Sequence, residues 1–127
     1  RIGQGYGAMT LKAAGKTLSM TFAMAAAAHA RGVPALVADS GCVPALLGWN
    51  LNVAARLPSL PGMSCGILES NGLESYRNWA ELAHAHATCG AHFLSRGTTT
   101  FELGDAFHAG HAGILDPPKP YAAGVSA

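Results

Sequence analysis

Three short apolar runs alternate along the chain with longer segments in which apolar residues recur at helical spacing. The runs cover residues 9–11, 35–38 and 65–68. The second run is apolar at every position, which is typical of a strand buried on both faces of a parallel sheet. This alternation predicts an α/β fold of parallel β-α units with right-handed crossovers. Three units cannot close a barrel of about eight strands, so the pattern predicts either a small open sheet or part of a barrel.

The first helix is predicted to follow a strand over residues 9–12. Thr17 or Ser19 can cap its N-terminus, and Gly32 followed by Pro34 ends it before the strand at 35–38. The predicted apolar stripe of this helix consists of Leu18, Phe22, Ala25, Ala26 and His29. The sequence therefore predicts one complete β-α-β unit over the first 38 residues.

Two further helices and two further strands are predicted beyond residue 39. Pro44 suits the first turn of the second helix, where a missing N–H costs nothing. The apolar stripe of that helix comprises Leu47, Leu51, Ala54 and Ala55. A strand over 64–68 precedes a helix over about 73–86, whose apolar face comprises Tyr76, Trp79, Leu82 and Ala83. Residues 98–103 suit one more strand, and 104–127 form a tail rich in Gly, Pro and His.

A charged residue lies at the end of each apolar run: Lys12, Asp39 and Glu69. The carboxyl ends of parallel strands meet at one edge of a sheet, so these three side chains are expected to lie close together. A lysine beside two carboxylates is suited to proton transfer. Each residue also has a structural interpretation. Asp39 could cap a helix or form an Asx turn, Glu69 could be a solvated strand end, and Lys12 could be a surface residue.

Composition and charge narrow the class of protein. The chain has 127 residues, of which 50% are hydrophobic and 12% charged, so it suits one modest domain and not a disordered segment. The formal net charge of +1 provides no field that attracts nucleic acid or an anionic membrane. No apolar run approaches the ~20 residues that span a bilayer.

Three cysteines, Cys42, Cys65 and Cys89, are odd in number and widely spaced. This pattern is not a disulfide framework and predicts a reducing compartment, the cytoplasm. The chain begins with Arg1 directly before a glycine-rich turn and a strand, so we expect it to be a piece of a longer protein.

Gly15-Lys16-Thr17 stands between a strand and a helix and suggests an alternative function, nucleotide binding. A phosphate-binding loop has the pattern G-x-x-x-x-G-K-[ST], because its backbone N–H groups must wrap the phosphates. Thr10 occupies the first glycine position here. The alternative is therefore a small P-loop-like α/β module that uses Lys16 and Thr17.

The spacing of four residues within 84–92 resembles that of a metal cluster. These residues are His84, His86, Cys89 and His92. His84 and His86 would point to different faces of a helix, so both could not bind one ion there. Surface histidines are the preferred interpretation, and no metal ligand is assigned.

Three segments resemble the late barrel strands of the enolase superfamily, in the mandelate racemase and muconate-lactonizing enzyme branch. Leu11-Lys12 followed by 15–18 resembles the sixth strand and its glycine-containing turn into a helix. Residues 25–34 resemble the helix that ends on Gly-Val-Pro before the seventh strand. Residues 51–58 and then 67–69 resemble the Ala-Ala-x-Leu-Pro helix end and the eighth strand with its glutamate. Residues 98–118 resemble the C-terminal return of the family.

The resemblance implies that residues 1–127 form the C-terminal portion, about strands six to eight, of a TIM-type barrel domain. The implied parent is a magnesium enzyme that removes the proton α to a carboxylate, as an acid-sugar dehydratase, racemase or cycloisomerase. Lys12 would be the sixth-strand acid/base and Glu69 the eighth-strand acid that holds the enolate oxygen. Asp39 and Ser40 stand where one branch has a histidine base, so the identity of a second base stays open.

The resemblance also implies what lies outside this chain. The Mg²⁺ ligands of the family come from its third, fourth and fifth strands, and its substrate-covering lid comes from an N-terminal domain. The isolated chain is therefore expected to be inactive. The full-length parent is expected to bind a small carboxylate substrate and to form a homo-oligomer.

Overall fold

The computed structural model describes residues 4–39 and 41–85 of the chain. Strands and helices alternate along this part of the sequence. The elements are β1 Met9–Leu11, α1 Leu18–His29, β2 Ala35–Ala38, α2 Pro44–Ala54, β3 Leu68–Glu69, α3 Gly72–Ser75 and α4 Trp79–Ala85. The predicted strand at 98–103 and the tail at 104–127 lie outside the described residues.

The three strands form a parallel sheet in the order β1-β2-β3. Leu11 pairs with Val37, which in turn pairs with Leu68 on the other side. The predicted extent of the third strand is wrong, because β3 covers only Leu68–Glu69 and the segment before it is not extended sheet. Membership of this sheet in a TIM-type barrel stays a prediction.

The core lies between the sheet and α2. Val37 packs with Val53 and Ala54 of that helix, and Leu68 packs against the same group. Residues paired across a parallel sheet lie on one face, and successive residues alternate between faces. The row of Leu11, Val37 and Leu68 therefore faces the helix, and the next row of the sheet faces the opposite side.

Local sequence signals place both ends of α1. Thr17 is the N-cap residue, and its hydroxyl accepts a hydrogen bond from the N–H of Met20 at 3.3 Å. Gly32 adopts a positive φ of 63° after the helix, the left-handed conformation that glycine tolerates best. Both end signals are confirmed.

The predicted apolar stripe of α1 is partly wrong. Thr21 and Ala28 are its buried residues, whereas Phe22 is 52% exposed and His29 is exposed. The four residues 25–28 are all alanine, so apolar residues lie on several faces of the helix and its spacing alone does not choose the buried face.

The second helix follows the prediction more closely. Pro44 lies in its first turn, and Leu47, Leu51 and Ala54 are buried. Ala55 is exposed, because the helix ends at the preceding residue.

The prediction of a single helix over about 73–86 is wrong. The backbone of Tyr76 is extended, at φ −122° and ψ 120°, and residues 76–78 separate α3 from α4. The break lets the buried ring of Trp79 lie against the backbone of Gly72, where a β-carbon would come within 2.2 Å of the ring. Tyr76 and Trp79 stack with their ring centroids 6.5 Å apart. No helix within residues 4–39 and 41–85 is long and apolar enough to cross a membrane.

Candidate functional site

Glu69 ends β3, and Lys12 lies one residue beyond the end of β1, so both residues lie at the carboxyl ends of the outer two strands. Leu11 pairs with Val37, so the register continued by one residue brings Lys12 opposite Ala38, and Ala38 pairs with Glu69. Two interstrand spacings of ~4.8 Å put the Cα atoms of Lys12 and Glu69 about 10 Å apart. Both residues are exposed, and their row alternates with the one that faces α2.

Asp39 does not belong to this row. It lies one residue beyond Ala38 and is only 2% exposed, unlike Lys12 and Glu69. Its Oδ1 accepts a hydrogen bond from the N–H of Gly41 at 2.8 Å, which confirms the predicted Asx turn. It does not cap α2, because the N-cap residue of that helix is Val43.

The Asp39 carboxylate joins the segments that follow β2 and β3. Its Oδ1 also accepts from the N–H of Asn71 at 3.3 Å, and its Oδ2 accepts from the hydroxyl of Ser70. The N–H of Asp39 donates to the carbonyl of Glu69 at 3.0 Å. Burying a carboxylate is costly unless donors satisfy it, and here three donors do so. Asp39 therefore holds the three consecutive residues that begin with Glu69.

A second set of hydrogen bonds joins Asp39 to the segment after β1. The thiol of Cys42 donates to the carbonyl of Asp39, and the amide of Asn50 donates to the Cys42 sulfur at 3.7 Å. The Oδ1 of Asn50 accepts from the N–H of Ala14 at 3.2 Å. The completely buried Asn50 was not predicted as a functional residue. Its polar side chain between Leu47 and Leu51, inside an apolar helix, was the available signal.

Burial raises the pKa of the Cys42 thiol above its ordinary value of 9.0. Hydrogen bonding from Asn50 lowers this pKa in part, the negative charge of Asp39 raises it, and the positive charge of Lys12 lowers it. The thiolate is the reactive form of cysteine, so a raised pKa keeps Cys42 unreactive at neutral pH.

We predict that iodoacetamide alkylates Cys42 much more slowly than the exposed Cys65 at pH 7.5. The Cys42 rate should continue to rise above pH 9.0, because its folded-state pKa lies above that value. The Cys42 thiol ionises at a lower pH in the unfolded chain than in the folded protein. The contribution of Cys42 to the free energy of unfolding therefore declines as pH rises from about 9.0 through the folded-state pKa. Peptide mapping by mass spectrometry separates the two cysteines. Equal rates in the native protein, with a plateau below pH 9, would contradict the prediction.

The turn at Gly15-Lys16-Thr17 does not have the geometry of a phosphate-binding loop. Thr10, at the first glycine position, pairs with Leu36 inside the sheet. The N–H of Gly15 donates to the carbonyl of Lys12 at 3.1 Å, which closes a tight turn. A phosphate loop instead needs its N–H groups directed at the phosphates.

The described residues do not fit a magnesium site. No group of three or more His, Cys, Asp or Glu side chains within residues 4–39 and 41–82 is arranged to hold a metal ion. Both carboxylate oxygens of Asp39 already accept hydrogen bonds from protein groups. The ligands that the family resemblance implies were expected on other strands.

A cavity of about 280 Å³ lies between α1 and α2, away from the three predicted site residues. Its lining consists of Leu18, Phe22, Trp49, Asn52, Val53 and Arg56. This cleft is mostly apolar and contains none of the carboxylates at the strand ends.

Comparison with known proteins identifies no relative of this chain. No protein-family model, curated protein or solved structure matches this chain. The enolase-superfamily resemblance therefore rests on the sequence segments alone.

Proposed function

We propose that this chain is the C-terminal β-α portion of a barrel enzyme of the enolase superfamily, which abstracts the proton α to a carboxylate. One observation carries the proposal: the register of the parallel strands, continued by one residue past β1, brings Lys12 into the row of Ala38 and Glu69 at the carboxyl ends of the strands. This is the edge at which α/β barrels assemble their active sites. The sequence resemblance assigns the same two residues to the acid/base machinery.

The chemistry follows from the two side chains. In its neutral form, the amine of Lys12 takes the α-proton, and the C–H electron pair moves into the adjacent carboxylate to form an enediolate. Glu69 in its acid form donates a hydrogen bond to an enediolate oxygen, which stabilises the charge that develops there. Between them, Ala38 contributes only a methyl group to the row.

The parent enzyme is proposed to use Mg²⁺ held by residues outside those described, to form a homo-oligomer and to reside in the cytoplasm. The cytoplasmic assignment is supported by Cys42 and Cys65, which are both free thiols.

Proton exchange tests this function directly. The full-length gene product is incubated in D₂O with Mg²⁺ and a panel of small carboxylates (aldonic acids and 2-hydroxy acids), and ¹H NMR follows loss of the α-proton signal. We expect exchange with at least one class and none from the 127-residue chain alone. No exchange across the panel, or equal exchange without the enzyme, would overturn the proposal.

A further inference from the structure

A continuous path of hydrogen bonds runs beneath the row that contains Lys12 and Glu69. It begins at the N–H of Ala14, two residues after Lys12, and passes through the Asn50 side chain to the Cys42 sulfur. From there it continues to the backbone of Asp39 and, through the Asp39 carboxylate, to Ser70. The path thus joins the segments that follow all three strands.

We propose that Asn50 and Asp39 are positioning residues that fix the separation of Lys12 and Glu69. This inference rests on the proposed function, since it concerns the same two site residues. Asp39 acts here as a buried connector and not as a group that contacts substrate. Asn50 connects the β1 segment to the β2 segment, and Asp39 connects the β2 segment to the β3 segment.

Burial explains why these two residues can hold the spacing. Asn50 and Asp39 are almost completely inaccessible, so water does not compete for their hydrogen bonds. Asp39 contacts Glu69, Ser70 and Asn71 in succession. Three attachments to consecutive residues fix both the position and the direction of the strand end that carries Glu69.

Asn50 is connected to Lys12 through the short turn that follows β1. The N–H of Gly15 donates to the carbonyl of Lys12 at 3.1 Å, which closes the turn that contains Ala14. Asn50 holds Ala14 within that closed turn. Movement of Asn50 would therefore move the backbone of Lys12 with it.

Zero-length cross-linking measures this spacing without any substrate. Carbodiimide joins an amine to a carboxylate only when the two groups come into contact, and mass spectrometry quantifies the Lys12–Glu69 isopeptide. The test compares wild type with Asn50→Ala and Asp39→Asn in the full-length gene product. We expect the yield to fall about fivefold (about 1 kcal/mol), the population change expected when one hydrogen bond is lost.

Matched controls separate positioning from simple destabilisation. Asn52→Ala changes the same residue type on the same helix, and Glu74→Gln neutralises an exposed acid on α3. Both controls should keep the wild-type yield. Tryptophan fluorescence, to which Trp49 and the buried Trp79 both contribute, normalises every yield to the folded fraction. A purely structural role would leave this normalised yield unchanged.

Ser70→Ala keeps the test decisive if the buried variants do not fold. Ser70 is exposed and donates one hydrogen bond to Asp39, so its loss should leave the fold intact and lower the yield partially. A wild-type normalised yield in Ser70→Ala and in every folded variant would overturn the positioning role. If the yield falls as expected but proton exchange by the full-length protein is absent, the positioning role stands and the proposed function fails.

Discussion

Gly66→Ala is expected to destabilise the fold by about 3 kcal/mol or more, at the upper end of the cost of inserting a methyl group into a packed site. A β-carbon built on Gly66 would lie 2.0 Å from the carbonyl oxygen of Ala54 and 2.9 Å from its carbonyl carbon. Both atoms belong to the backbone at the end of α2. No flexible side chain can move aside, so either the helix end or the segment before β3 must shift.

Urea denaturation followed by circular dichroism measures this effect. Gly7→Ala is the matched control, because no atom lies within 4 Å of a β-carbon there and its φ is not positive. Native domains are stable by only about 5–15 kcal/mol, so Gly66→Ala should lower the midpoint strongly or abolish the transition. Equal midpoints for the two variants would show that the close approach of Gly66 to Ala54 is not maintained in solution.

The elements that the sequence predicts well are those determined by neighbouring residues. Thr17 at the start of α1, Gly32 after its end and Pro44 in the first turn of α2 act through their own backbone preferences. The all-apolar run at 35–38 likewise coincides with β2. Each signal lies within a few residues of the feature that it determines, which is why a single sequence suffices.

The features that the sequence does not predict depend on contacts between distant segments. The short extent of β3 coincides with the close passage of Gly66 beside Ala54, and the break at Tyr76 accompanies packing of Trp79 on Gly72. The spacing of apolar residues along the sequence does not encode either of these two close contacts. The spacing likewise does not predict that Thr21 is buried in place of Phe22, because α1 is apolar on several faces.

The residues of the candidate site also divide into those that the local sequence predicts and those that depend on contacts between distant segments. Three charged strand ends were predictable from position, but the register decides which of them lie in one row. A shift of one residue moves a side chain to the other face of a sheet, and Asp39 is one residue beyond the row of Ala38. Asn50 was missed as a site residue, because its partners at 14 and 42 are distant in sequence.

Lys12→Met in the full-length gene product is expected to lower α-proton exchange about 10²–10⁴-fold, the usual contribution of a positioned acid or base. Methionine preserves much of the side-chain length but cannot accept a proton. Lys12→Arg should be nearly as inactive, because a guanidinium stays protonated. ¹H NMR in D₂O measures both rates against wild type.

Lys16→Met provides the matched control and tests the nucleotide-binding alternative at the same time. Lys16 is exposed and lies outside the row that contains Ala38 and Glu69, so its loss should leave the exchange rate unchanged. Lys12 and Lys16 are four residues apart in the same β1–α1 connection, so general effects of removing a positive charge there should be similar. A selective loss in Lys12→Met therefore assigns the proton transfer to the lysine at the strand end. Thermal protection of the wild type by ATP that is lost in Lys16→Met, together with no α-proton exchange in the wild type, would instead favour the nucleotide-binding module.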